Sequence, residues 1–424
     1  MAKKGKTTAV PKLRFPEFRT RASWEYTVLG DASTPVTERV GDRKLTPVSI
    51  SAGIGFVPQA EKFGRDISGN QYSLYTLVRD GDFVYNKGNS LKFPQGCVYQ
   101  LRGLGEVAAP NVFISFRLKQ GFVAEYFQYC FEKNIHGAQL KKHITSGARS
   151  NGLLNVSKDQ FYGISIPTPL PDEQQKIADC LTSLDEVIAA QGRKVEAVKT
   201  YKRGLMQQLF PREGETLPRL RFPEFRDSPK WEPTTLDGLV DLQSGGTPSK
   251  INLAFWNGSI PWVSAKDMKR LFLDDAEDHI SAAAVDDGAK LVPAGTVLML
   301  TRGMTLLKNV PICVLRREMS FNQDVKALLP KGETTGLFVA LLLLGNKQRL
   351  LRMVDIAGHG TGKLNTDELK ALKLAAPKPA EQQRIADFLS SLDAQIAAEA
   401  DKLAALKIHK DGLMQQLFPS PVEA

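Results

Sequence analysis

The chain has 424 residues, 42% of them hydrophobic and 24% charged, which supplies apolar material for two or three ordinary cores and excludes a fibre or a disordered tail. A formal net charge of +10 leans toward a polyanionic partner. Four scattered cysteines without CxxC spacing suit reduced thiols, hence a cytoplasmic location, and argue against a disulfide framework.

The first stretch, MAKKGKTT, is basic but has no apolar segment behind it, so it is not read as a secretory signal. LRFPEFR follows at 13–19 and returns at 220–226, each time followed by a Trp-Glu pair, Trp24-Glu25 and Trp231-Glu232. PDEQQKIADCLTSLDEVIAA (171–190) is matched by PAEQQRIADFLSSLDAQIAA (379–398), and GLMQQLFP stands at both 204–211 and 412–419. A period near 208 residues is too long for a solenoid repeat and has the size of a domain plus a connecting element. The chain is a tandem duplication. Its expected segments are 1–170, a central helix over 171–211, a second domain over 212–378, and a C-terminal helix over 379–419.

Between the flanking motifs, short apolar runs broken by Gly, Pro, Asn and Asp predict α+β domains with mixed or antiparallel sheets. DFVYNKG (82–88) and TVLMLTRG (296–303) read as strands that end on a basic residue and a glycine. EYFQYCFEK (125–133) and LFVALLLLGNKQRLLRMV (337–354) read as helices, and the apolar run LFVALLLL is too short to span a membrane. SGARSNGLLN (146–155) and AGHGTGKLN (357–365) are Gly-rich basic loops, each followed by a helix start with Ser157 and Thr366 as candidate N-caps.

The two EQQ segments carry a heptad seam. Its apolar members include Ile177, Leu181, Leu184, Ile188, Leu205 and Leu209 in the first, and Ile385, Leu389, Leu392, Ile396, Leu413 and Leu417 in the second. Both seams break at equivalent places, Gln191 with Glu399 and Lys202 with Lys410. Pro171 and Pro379 suit a first helical turn, and Pro211 and Pro419 stop the run, which predicts helices of about 38 residues and roughly 57 Å. Such a seam either packs on its own domain or pairs with its twin as an antiparallel coiled coil about an internal two-fold axis; the matching seams favour the second. Gly204 and Gly412 inside the helices suggest close helix approach, since glycine there costs about 1 kcal/mol.

Basic residues recur at corresponding loops. Lys87 is set beside Arg302, and Arg149 beside Lys363, each near a glycine that would let backbone approach a phosphate. Taken as a set, these loops favour a nucleic acid as the ligand. No catalytic or metal-binding motif emerges. GHGTGK (358–363) lacks both the first glycine and the Ser or Thr of a Walker A loop, and the histidines and cysteines lack ligand spacing, so no metal residue is assigned.

Two variable domains, each followed by P-x-x-EQQ-x-IA, resemble the specificity subunits of type I restriction-modification enzymes. SGGTPSK (244–250), IPWVSAKDMK (260–269), LVPAGTVLMLTRG (291–303) and FNQDVKAL (321–328) strengthen the resemblance in the second domain. It implies two target-recognition domains on a spacer of paired helices and a non-catalytic subunit that reads a bipartite, asymmetric site in double-stranded DNA. Two modification subunits would then methylate adenine N6 with S-adenosylmethionine, and restriction subunits would add ATP- and Mg-dependent translocation and cleavage. Under this resemblance the expected DNA contacts are Lys87, Asn89, Lys92 and Arg149 in the first domain, and Lys250, Lys266, Arg302, Lys308 and Lys363 in the second. No cofactor is expected on this chain, and no membrane association. The competing reading is an adaptor scaffold, with two ligand-binding domains on a coiled-coil strut and no role on DNA.

Overall fold

Two long helices, Pro171–Leu209 and Pro379–Leu417, organise the chain, each of 39 residues or about 58 Å. Each begins on its proline, whose missing N–H costs nothing in a first turn. The computed structural model describes residues 8–88, 92–144, 153–356 and 360–419. All the seam positions of both helices, the polar ones included, are buried or half-buried. Among the described residues no helix is long and apolar enough to cross a membrane.

The chain divides into two compact units, Met1–Gly192 with Asp401–Ala424, and Arg193–Ala400. Each takes one part of each helix, so structural units and sequence repeats are offset. In the first unit, Ile177 and Leu181 share a core with Met414 and Leu417, and Lys410 pairs with Asp185 at 2.7 Å and Glu132 at 2.8 Å. The start of the central helix therefore runs antiparallel to the end of the C-terminal one. In the second unit, Leu205 and Leu209 share a core with Ile385, Leu389 and Leu392, and Lys202 pairs with Asp393. The two readings of the seam were not alternatives: the helix parts pack on each other and, in the same clusters, on the domain core.

In the first unit the described strands form three sheets, two of which line the main core while the third packs in smaller clusters. The strands Trp24–Val28 and Ser165–Thr168 pair beside the helix start. A four-stranded sheet contains Ile114–Leu118, Phe83–Asn86 and Cys97–Gln100, and another joins Thr46–Ser51 in parallel to Glu106–Ala109. Stacked rings fill the centre, Phe83 on Phe116 at 5.2 Å and Tyr85 on Phe161 at 4.4 Å. In the second unit a five-stranded sheet around the fully buried strand Val297–Leu300 carries the helix Gly336–Gly345. That helix is apolar on almost every side and nearly all of it is buried, which is what its sequence demands. Both units are mixed α+β, with parallel pairs among antiparallel ones.

Two local expectations need correction. Thr366 is not the N-cap of its helix; the side chain of Asn365 accepts from Asp367 N and Glu368 N, a better acceptor one residue earlier. Ser157 does cap its helix, in a reciprocal box with Gln160. A Cβ at Gly204 or Gly412 would meet nothing within 4 Å, so close helix approach does not explain these glycines, and nothing else in the structure does.

His136 gives the first unit a pH dependence. Its ring is buried between Tyr85 and Phe131, Nδ1 has no partner among the described residues, and burial pushes its pKa down to about 4. Unfolded, it protonates near its ordinary value of about 6.5. Its contribution is therefore complete above pH 6.5 and is lost as pH falls toward 4, by on the order of 3 kcal/mol. Comparing urea unfolding at pH 7 and 4.5 should give a smaller loss for His136→Leu than for the wild type; equal losses would remove His136 from the account.

Candidate nucleic-acid interface

The frame behind each site is a buried clasp. In the first unit Arg14 donates from Nε and Nη2 to the two oxygens of Glu173 at 2.7 and 2.8 Å, and from its Nη atoms to the carbonyls of Arg21 and Ala22. Trp24 Nε1 adds a bond to the same carboxylate at 3.1 Å. The second unit repeats every contact: Arg221 on Glu381 at 2.8 and 2.6 Å, on the carbonyls of Ser228 and Pro229, and Trp231 Nε1 on Glu381 at 3.2 Å. Gln174 and Gln382 donate to the carbonyls of Pro169 and Pro377, which ties each helix start to the strand before it. The duplicated letters RF, W and EQQ thus have one physical cause.

The octapeptide completes the clasp, the first copy in the second unit and the second copy in the first. Gln208 O accepts from Leu220 N, and Phe210 packs edge-on against Trp231 at 6.3 Å. Gln416 O accepts from Leu13 N, and Phe418 lies 5.5 Å from Tyr126. Gln416 and Phe418 therefore close on Leu13 and Tyr126, and the octapeptide is present twice because each unit needs one.

In the second unit the four stretches singled out from sequence meet. Gly246 N bonds to Phe321 O, Trp262 Nε1 donates to Gly246 O at 2.9 Å, and Asn322 N bonds to Val263 O. Thr247 donates from Oγ1 to Gln323 Oε1, and Asp324 O accepts from the backbone of both Thr301 and Arg302. The buried strand Val297–Leu300 so delivers Arg302 to the surface beside Gln323 and Thr247.

There Arg302–Gly303 pairs antiparallel with Gly362–Leu364, and Arg302 stands directly opposite Lys363, with Asp355 as the next partner across. Like charges opposite one another on paired strands are destabilising, and a bound polyanion would relieve the repulsion. Among the described residues, Arg302, Lys363, Lys308 and Lys250 are exposed and form no ion pair with a carboxylate. Lys266 differs: it is held by Asp278 at 2.9 Å and Glu277 at 3.1 Å, which raise its pKa and satisfy its charge. The SAKDMK stretch instead offers Lys269 and Arg270, exposed in the same loop. Gln323 was missed by a reading that looked for cations, although its motif was noticed; its amide suits a base edge as lysine does not.

In the first unit Lys87 is half-buried and lines a cavity of about 370 Å³ with His143, Asn155 and Gln160. Lys92 is exposed, with Nζ 5.6 Å from the Phe93 ring centroid. Asn89 and Arg149 lie outside the described residues. Lys87 is not the counterpart of Arg302. Leu154 N bonds to Lys87 O as Leu364 N bonds to Thr301 O, so Lys87 matches Thr301 and Gly88 matches Arg302. By the same alignment Leu153 matches Lys363. The opposed cations belong to the second unit.

A family model described as "Type I restriction modification DNA specificity domain" matches residues 94–200 and 229–407. Among curated proteins, the EcoR124I/EcoR124II specificity subunit of Escherichia coli is 30% identical over 240 residues, 54% of this chain and 55% of that one. The MjaIX specificity subunit of Methanocaldococcus jannaschii is 26% identical over 168 residues, 38% of each chain. The chain thus spans about half the length, or less, of the curated relatives it matches. Among solved structures, a chain of a type I R-M system studied for complex assembly and conformational transition has a TM-score of 0.59 at 18% identity, covering 94% of this chain and 98% of that one. The type I restriction-modification S subunit of M. genitalium has a TM-score of 0.52 at 14% identity, covering 97% and 99%. At these identities the structural likeness concerns the fold.

Proposed function

Because the chain belongs to the type I restriction modification DNA specificity family, we propose that it reads a bipartite, asymmetric site in double-stranded DNA and directs partner subunits to it. The observation that carries this reading is the meeting of four loop stretches around Arg302, Gln323 and Thr247, with exposed Arg302 opposed to exposed Lys363 across a strand pair. Cations there position phosphates, and the amide and hydroxyl read base edges. An adaptor that binds no nucleic acid has no use for two opposed, exposed cations that form no ion pair among the described residues.

In this reading the chain is not itself an enzyme. Two modification subunits dock on the duplicated frame and methylate adenine N6, and restriction subunits add translocation and cleavage. S-adenosylmethionine, ATP and magnesium belong to those partners. The segments 1–170 and 212–378 act as the two target-recognition domains, and the helices as the spacer.

The test is to co-express the chain with a modification subunit of its own system and map N6-methyladenine across the host genome. A split motif that appears only with this chain is the expected result. A stable complex that leaves no new methylation would count for the adaptor reading.

A further inference from the structure

One turn of the second unit displays apolar side chains that its fold does not use. After Gly303, at φ 144°, the chain enters a single 3-10 turn, Met304–Leu307, which closes with Lys308 N on Thr305 O at 3.0 Å. Leu306 is fully buried and seats the turn on the neighbouring strand. A Cβ at Gly362 would come within 2.8 Å of the Leu306 Cβ, so this close seating requires glycine. With about three residues per turn, Met304 and Leu307 share a side. They are 62% and 41% exposed.

Isolated exposed hydrophobics are ordinary. This pair differs in being held on a platform with its backbone fixed, and in standing between Arg302 and Lys308, two exposed cations without carboxylate partners among the described residues. Lys363 adds a third charge opposite Arg302. A surface with cations at both ends and an apolar centre complements a duplex, whose phosphates flank stacked, apolar base faces.

We propose that the Met304–Leu307 turn is a wedge. Arg302 and Lys308 hold phosphates while Met304 and Leu307 press into a base step, partly unstacking it and bending the duplex. This rests on the DNA reading above and adds a second source of specificity to it. Sequence is sensed at that step through the ease of deformation, which favours the flexible pyrimidine–purine steps TA and CA/TG.

The experiment uses the chain assembled with its modification subunits and a duplex carrying the mapped site, with 2-aminopurine substituted at successive positions. Apart from the target adenines, which methylation requires to be flipped out, wild-type complex should raise the fluorescence at one further step only. The double variant Met304→Ala, Leu307→Ala should lose most of that rise and lower the ratio of specific to non-specific affinity by about tenfold, with an unchanged salt slope and melting temperature. Arg302→Ala should keep the fluorescence rise and reduce the salt slope by about one. A double variant that retains both the rise and the ratio overturns the wedge. So does one that sheds modification subunits in native mass spectrometry, since the apolar pair would then be a protein contact. Wild-type complex that shows no salt-dependent binding to DNA would instead sink the DNA reading itself.

Discussion

Glu381→Ala is expected to destabilise the second unit by about 3–5 kcal/mol, the cost of breaking a buried ion pair from one side. The side chains of Arg221 and Glu381 are only 9% and 3% exposed, and guanidinium cannot escape by losing its proton. Alanine would leave that charge with two carbonyls and no counter-ion, and would strip the indole N–H of Trp231 of its acceptor. Glu381→Gln keeps an oxygen for the tryptophan and should cost less. Arg221→Met with Glu381→Met removes both charges together and should recover much of the loss, because the isolated charge is the main penalty. Urea unfolding of the full chain reads this as a shift in midpoint at constant slope. A Glu381→Ala midpoint within about 1 kcal/mol of wild type would show that the clasp is decorative. Glu173→Ala should behave alike in the first unit, where the same contacts recur.

That clasp also marks the limit of what the sequence discloses. RFPEFR, the Trp-Glu pair and EQQ are visible as repeated letters, but nothing in their spacing says that an arginine at 14 bonds a glutamate at 173. The helices were legible because a heptad seam is a local signal, written in the residues that form it. The offset between sequence repeats and compact units was not. It arises because Gln208 closes on Leu220 in the second unit while Gln416 closes on Leu13 in the first, a long-range choice with no local trace. In the site, Arg302 and Lys363 were legible as charges beside glycines, and their direct opposition was not, since it depends on the register of two strands some sixty residues apart. The ion pairs of Lys266 were hidden for the same reason: its counter-ions Glu277 and Asp278 come from a separate strand region, so a cation that looks free in sequence is paired in space. Motif resemblance located the second-unit site better than charge did, for it drew in FNQD and so Gln323, which a search for basic residues passes over.

The spacer supplies the other large effect. The central helix passes from one unit to the other between Gly192 and Arg193, and the C-terminal helix between Ala400 and Asp401. If the helices set the distance between half-sites, one heptad inserted at both junctions lengthens each by about 10.5 Å, or about three base-pair steps. Seven residues preserve the phase of the seam, so Ile177, Leu181, Met414 and Leu417 keep their core in one unit, and Leu205, Leu209, Ile385 and Leu389 keep theirs in the other. The lysine pairs follow the same rule, Lys410 on Asp185 and Lys202 on Asp393, because both members of each lie on one side of the insertion. Methylome mapping of the insertion variant should therefore return the same two half-sites with a gap longer by about three base pairs. If partner subunits cannot follow the lengthened frame, methylation should vanish while the chain stays folded. Four residues in place of seven would put the two parts of each seam out of heptad phase and should unwind the helix pair locally at the junction. The original gap, methylated at wild-type levels by the heptad variant, would refute the ruler and leave the paired helices as a stabilising strut.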